Sequence, residues 1–403
     1  MSALEVTLAS SMADVGAEEW DALTGDGSPF VEHAFLRLLE TSKSVGPRTG
    51  WIPAPVLLRE GGQLVGAIPA YVKSDSYGEY IFDWSWAEAA GRARVPYYPK
   101  ITVSVPFTPA TGPRLLVHPE ASRATIVPAL IAALDALVDR HKASSAHVLF
   151  CLEDEASELE KAHFFRRSTH QYHWRNDGYA TFDDFLGALR SESRKQIRRE
   201  RRKVTEQGVS VIVKQGLDVT AEDWRALDNL YRANASTKWG RPYLTPRFFG
   251  AARDAIGHRA VAVFGVRDGE IMGGTLSFEK GDHLYGRYWG AHHHVDSLHF
   301  ELCYYALIEH AIRTKKRLFE AGAQGEHKLK RGFVPVEIHS THAFVHPGMS
   351  QAIGAFLAQE RRAVQEALPE WAEHAPFKQG AAPDFPASAG VEVGRLADPS
   401  EKK

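Results

Sequence analysis

The stretch from Tyr288 to Phe333, YWGAHHHVDSLHFELCYYALIEHAIRTKKRLFEAGAQGEHKLKRGF, constrains the fold of this chain more than any other. An aromatic strand, Leu284 to Trp289, runs into three histidines, and a helix opens near Ser297. Leu302, Ala306, Ile308 and Ile312 give that helix one apolar face. A short strand, Arg317 to Ala321, follows, and then a glycine-punctuated basic loop, Gly322 to Phe333. Strand, helix, strand and loop make a βαβ unit, which presents a site at its strand ends.

The same order stands earlier in the chain. Pro55 to Arg59 and Leu64 to Val72 read as a hairpin around Gly61-Gly62, and Ala260 to Arg267 and Ile271 to Phe278 as another around Asp268-Gly269. The first hairpin leads through an aromatic segment (Tyr77 to Trp86) and a proline-rich loop to an amphipathic helix, Arg123 to His141, and a strand, His147 to Cys151. Pro55–Cys151 and Ala260–Ala321 therefore repeat a pattern without repeating letters. Between them lie a helix from Phe182 to Gln207, a strand from Val209 to Lys214, and helices at Thr220 to Ser236 and Pro246 to Ile256. The expected class is α/β with mixed sheets, in two tandem domains at 1–180 and 181–375, each a twisted sheet flanked by helices. Residues 376–403, rich in Ala, Gly and Pro, read as a tail. A length of 403 residues also favours two cores over one.

Composition excludes several classes. The net charge of −2 argues against polyanion binding by the whole surface, though not against a local basic site. Two distant cysteines, Cys151 and Cys303, rule out a disulfide framework or a cysteine-built zinc site and fit a reducing compartment. The first twenty residues lack the basic start and apolar run of a signal peptide, and no apolar window is long enough to span a bilayer. The expectation is a cytoplasmic chain. No GxxxxGK[ST], GxGxxG or GxSxG is present, so neither nucleotide hydrolysis, dinucleotide binding nor a serine hydrolase has support.

Two basic segments could meet an anion. In SESRKQIRRERRK, Arg194, Arg198 and Arg201 share a helix face beside Arg199, a repulsion that bound phosphates would offset; a solvated helix is the plainer alternative. Lys328, Lys330 and Arg331 follow glycine-rich turns at a strand end, where free backbone N–H groups favour an anion. His292 and His294 would share a strand face, but a third ligand at metal spacing is missing, so a general-base imidazole or a surface role is expected and no metal. Asp83, between Phe82 and Trp84, and Glu320 are carboxylates that aromatic surroundings could tune as bases toward an amine; Glu301 is a further acidic candidate. Tyr288 joins them as a positioning group.

At this point the residues carry a resemblance. SESRKQIRRERRKVTEQGVSV resembles the element opening the second half of Fem-type peptidyltransferases, and AGAQGEHKLKRGF is similar to their late Lys-x-x-x-Gly-Phe segment. EYIFDWSWAEA, YYPKITVSVPFTPATGPRLL, YWGAHHHVDSLHFELCYYALIEHAI and EAGAQGEHKLKRGFVPV resemble a bacterial group of predicted N-acyltransferases related to them. The resemblance implies two GNAT-like halves, with an acyl donor held in a gap between two central strands. Here the gap would lie between His283–Trp289 and Arg317–Ala321, with Trp289 beside it and Gly332 and Phe333 in the substrate-binding segment. The GNAT pyrophosphate loop is replaced by Ala-His-His-His-Val-Asp-Ser.

The function expected is an N-acyltransferase that forms an amide by direct attack of an amine on a thioester or ester. Acyl-CoA is the donor expected, with aminoacyl-tRNA as the alternative donor of a Fem-type peptidyltransferase. The acceptor is a small-molecule or peptide amine, with tRNA as a further partner, no DNA and no membrane insertion. A non-catalytic phosphate- or RNA-binding module is the rival from another class.

Overall fold

The computed structural model describes residues 3–238, 241–322 and 325–382. The first half holds β1 (Leu4–Leu8), α1 (Ala17–Asp21), α2 (His33–Thr41), β2 (Trp51–Pro53), β3 (Val56–Glu60), β4 (Gln63–Ile68) and β5 (Ala70–Lys73). It continues with α3 (Trp84–Arg92), β6 (Lys100–Val103), β7 (Leu116–Val117), α4 (Arg123–Arg140), β8 (Ser145–Cys151), α5 (Glu153–Ala162) and β9 (Phe165–Arg175). The second half opens with α6 (Phe182–Ala188), α7 (Ser191–Glu206), β10 (Ser210–Gln215), α8 (Ala221–Lys238), α9 (Pro246–Ile256), β11 (Ala260–Arg267), β12 (Glu270–Lys280) and β13 (His283–Ala291). A short α10 (Leu298–Phe300) passes through a π-helical turn, Glu301–Tyr305, into α11 (Ala306–Arg313). Then come β14 (Leu318–Glu320), a 3-10 turn at Glu326–Arg331, β15 (Val334–Phe344) and α12 (Pro347–Glu373).

The doubled pattern is visible in the strand order. A four-stranded sheet runs β1-β3-β4-β7, and an eleven-stranded sheet runs β10-β11-β12-β13-β14-β9-β15-β8-β6-β5-β2. Each half contains one parallel pair joined through a helix: β6 with β8, and β13 with β14. Each half then lends its following strand to the other. β9 pairs with β14, β15 pairs with β8, and β9 and β15 pair with each other at the centre. The long register of that last pair, Val334↔His173 to His342↔Phe165, ties the halves into one mixed α/β sheet.

Local chemistry explains most boundaries. The Asp268-Gly269 turn places both residues at positive φ (53° and 79°), as a two-residue hairpin demands. α8 starts at a reciprocal cap, in which the Asp223 N–H donates to Thr220 Oγ1 at 3.3 Å and the Thr220 N–H to Asp223 Oδ2 at 2.7 Å. Two expectations need correction. The single helix at Phe182–Gln207 is broken at Leu189, which is extended and bridges Phe377, while the Arg190 N–H donates to Pro376 O at 2.7 Å. That pairing with a distant segment outweighs helix propensity, and it docks the described start of the tail; residues 383–403 of it lie outside the described residues. The proline-rich loop contains the buried strand β6. Aromatic rings weld the halves: Phe30 meets Phe278 at 5.6 Å and Tyr285 at 5.3 Å, edge to face. Among the described residues no helix is long and apolar enough to cross a membrane.

Candidate active site

β13 and β14 pair in parallel only from His283↔Leu318 to Tyr285↔Glu320. β14 ends there while β13 runs on to Ala291, so the strands part and a cavity of about 530 Å³ opens between them. Gly286, Arg287, Tyr288 and Trp289 form one wall, and Ala321, Gly322 and Gly325 the other. His299, Cys303, Tyr304 and His327 close one end, and Tyr80, Tyr231, Asn234 and Tyr243 the other. Gly290 lets α8 approach, because a Cβ there would lie 2.0 Å from Leu230 O. The π-helical turn sorts its side chains: Cys303 and Tyr304 line the cavity, while Glu301 holds Arg201 at 3.1 Å.

The corresponding parting in the first half is filled. The β6–β8 ladder ends at Val103↔Val148, and beyond it Arg114 Nε donates to Leu149 O at 2.8 Å and the Gly112 N–H to Phe150 O at 3.1 Å. Buried Glu155 accepts the Arg114 and Leu115 N–H groups at 2.8 and 2.7 Å, fixing the loop in place. One open gap and one plugged gap follow from the same architecture.

The open gap is lined by neutral donors. Burial pushes the phenols of Tyr80, Tyr231, Tyr243, Tyr288 and Tyr304 upward, so each stays protonated near neutrality. His327 is moved the other way, by burial and then by the Arg331 and Lys328 cations, and its Nε2 lies 2.9 Å from the Tyr304 hydroxyl. A neutral imidazole on the wall of a cavity can take a proton. Lys328 is buried against Gly322 O at 2.5 Å, and burial lowers its ammonium to about 7. Glu320 lies at the apex of the parting, accepts the Thr111 N–H at 3.3 Å, and is pushed up to about 8 by burial. His173, 3.9 Å away, is pushed down to about 3 by burial, so the two face each other uncharged.

That environment sets a pH test. Below about pH 4.5 Glu320 is protonated folded or unfolded and costs nothing; between there and pH 8 only the unfolded carboxyl ionises, which erodes stability. Glu320→Gln is therefore expected to match the parent at pH 4 and to be more stable at pH 9 by at least ~1–2 kcal/mol. Chemical denaturation at the two pH values decides; an equal or weaker variant at pH 9 refutes the assignment.

A second cavity of about 720 Å³ adjoins the first, sharing Tyr80, Arg241 and Tyr243 as a common wall. Lys43, Arg48, Asp75, Ser76, Tyr77, Phe82, Trp84 and Phe107 are among its other lining residues. Behind Ser76 lies a buried ion cluster. Lys100 Nζ donates to Ser76 Oγ and Glu79 Oε2 at 2.8 Å each and also to Asp83, which accepts the Tyr97 hydroxyl at 2.7 Å. Burial opposes the Asp83 anion, but Lys100 and Tyr97 more than offset it and hold its pKa below the usual range.

The residues singled out from sequence thus fall in different places. Tyr288 and Trp289 line the open gap, Glu320 sits at its apex, and Lys328 backs its glycine wall. Asp83 belongs to the ion cluster behind the second cavity. His292 and His294 are exposed on the loop after β13, away from the lining. Arg331 faces inward, onto Glu200 at 2.8 Å, while Gly332 takes a φ of 85° and Phe333 is fully buried. Lys330 is exposed. On α7, Arg198 meets Asp183 at 2.9 Å, Arg194 reaches Leu189 O at 3.4 Å, and Arg199 is exposed. Sequence reasoning missed Tyr80, Arg241, Arg287, His299, Tyr304 and His327, which lie on five separate segments; only His327 sat inside a loop already marked as basic. Among the described residues no group of three or more His, Cys, Asp or Glu side chains could hold a metal ion.

Comparison with known proteins fits this geometry. The model of the FemAB-like family, described as peptidoglycan biosynthesis/recognition, matches residues 11–379. No curated protein matches the sequence. The chain is similar to the crystal structure of FemX (TM-score 0.54, 12% identity, covering 84% of this chain and 98% of that one). It is similar also to the C-terminal domain of a putative lysylphosphatidylglycerol synthetase from Agrobacterium fabrum (TM-score 0.51, 10% identity, 88% and 98% covered). A tandem GNAT protein from the clavulanic acid biosynthesis pathway superposes less well (TM-score 0.47, 17% identity, 86% and 99% covered). At these identities the likeness is one of fold.

Proposed function

We propose, from the premise that this chain belongs to the FemAB-like family, that the open gap is the acyl site of an N-acyltransferase. The observation that carries the reading is the parting of β13 from β14, which leaves two strand edges and a cavity where a thioester or ester can lie extended. The plugged first-half gap supports a single donor site per chain. The adjoining cavity, with Lys43, Arg48 and Arg241 among its lining, suits an amine acceptor that carries an anionic group.

In this reading the amine enters past Tyr80 and attacks the acyl carbon directly. Its proton passes to His327, whose hydrogen bond to Tyr304 orients the ring. The protonated phenol of Tyr288 donates to the carbonyl oxygen as charge develops there. The carbon–sulfur or carbon–oxygen bond to the carrier then breaks, and the carrier leaves as a thiol or hydroxyl, taking up the proton that His327 accepted. Acyl-CoA and aminoacyl-tRNA both fit this chemistry as donors.

Two reporters stand in the gap: Trp289, and Cys303, the half-buried thiol, whereas Cys151 is fully buried. Titration with acetyl-CoA is expected to change tryptophan emission saturably and to slow maleimide labelling of Cys303 by about tenfold at saturation. If acetyl-CoA fails while a charged tRNA protects Cys303, the donor is the aminoacyl ester. Failure of both would sink the donor site.

A further inference from the structure

Of the nine large hydrophobic side chains that stand exposed among the described residues, four line one cavity. They are Ile52 (47% exposed), Tyr77 (62%), Phe82 (55%) and Trp84 (40%), and all belong to the second cavity. Tyr77 and Trp84 are in edge-to-face contact at 5.1 Å. Lys43 and Arg48 stand exposed on the same lining, with no ion-pair partner among the described residues. Asp75, the acid of that lining, is already held by the Tyr77 N–H at 2.9 Å and by Lys73 at 3.4 Å. The protein as a whole is slightly acidic, so this local excess of cations is a feature of the rim and not of the surface at large.

Amphipathic rings beside unpaired cations match the chemistry of a bilayer interface, where Trp and Tyr settle at the headgroup level and Lys and Arg meet anionic lipid. We propose that this rim rests on an anionic phospholipid surface, with the second cavity opening onto the headgroups. No segment inserts: four side chains and two cations make the contact. The lipid surface is then the source of the acceptor, a point that rests on the transfer reading above; the docking itself does not.

Co-sedimentation of the full chain, without donor, with vesicles of equal phosphatidylglycerol and phosphatidylcholine tests the docking alone. Binding is expected at low salt, to weaken as the Debye length shrinks, and to be lost on pure phosphatidylcholine. The exposed triple substitution Tyr77→Ser, Phe82→Ser, Trp84→Ser is expected to weaken it by about tenfold or more, as is Lys43→Gln with Arg48→Gln. Should the triple variant misfold, quenching of tryptophan by brominated lipid decides, since Trp84→Phe must remove most of it. Wild-type binding no stronger to anionic than to neutral vesicles would overturn the proposal. So would a rim substitution that lowers affinity for a soluble glycerophosphate or anionic peptide while vesicle binding stays absent. The transfer reading is judged separately by the Cys303 protection experiment, so either can fail without the other.

Discussion

His327→Ala is expected to slow amide formation by about 100-fold or more while donor binding stays within about twofold. The residue stands on the cavity wall as a neutral imidazole, because burial and the neighbouring Arg331 and Lys328 cations disfavour its charged form. Its pKa lies below the ordinary histidine range, so the wild-type rate should rise with pH on a limb below pH 6.5 and then level. Removing the imidazole should abolish that limb, and Tyr304→Phe should preserve it at a reduced rate. Single-turnover rates across pH 5 to 8 are the measurement; an unchanged profile in the alanine variant would assign the proton to another group.

Arg331→Ala is expected to destabilise the folded chain by about 3–5 kcal/mol. The guanidinium donates to Glu200 at 2.8 and 3.0 Å, to the Tyr305 hydroxyl at 2.9 Å and to His327 O at 2.7 Å, and it lies 3.4 Å from the Phe300 ring centre. Both partners of the ion pair are nearly buried, with side-chain exposures of 4% and 10%, so truncation strands a carboxylate that is largely shielded from water. Adding Glu200→Gln should recover much of the loss, because the stranded charge and not the missing contact carries most of the cost. Urea denaturation of the single and double variants tests this. A loss under ~1 kcal/mol for Arg331→Ala would show that the knot between α7 and the basic loop is not structural.

That knot also shows where reading a sequence stops. Arg194, Arg198, Arg199 and Arg331 formed two basic clusters in the chain, and free cations at such density suggest an anion. In space, Glu200 on the basic helix α7 meets Arg331, while Glu301, Asp183 and Asp296, from elsewhere in the chain, meet Arg201, Arg198 and Lys203 in turn. Three of these four pairs join residues about a hundred positions apart and leave no periodic trace. His292, His293 and His294 were conspicuous as a run yet lie outside the cavity, whereas His299 and His327, unremarkable in sequence, line it.

What the sequence determined by itself was the local and the periodic. The hairpins around Gly61-Gly62 and Asp268-Gly269, the helix following β13, and the doubled order of elements all rest on interactions within some thirty residues. The two strands of the βαβ unit could be placed from the same signals, whereas the gap between them was expected only from the family resemblance. Only the tertiary structure decided that β9 and β15 change places between the halves, that Arg114 fills one gap and leaves the other open, and that Tyr80 is brought from the first half to the wall of the second half's cavity. The reason is physical: strand pairing and ion pairing are satisfied by any partner of the right edge or charge. Which partner is reached depends on how the whole chain packs, and no local pattern encodes that choice.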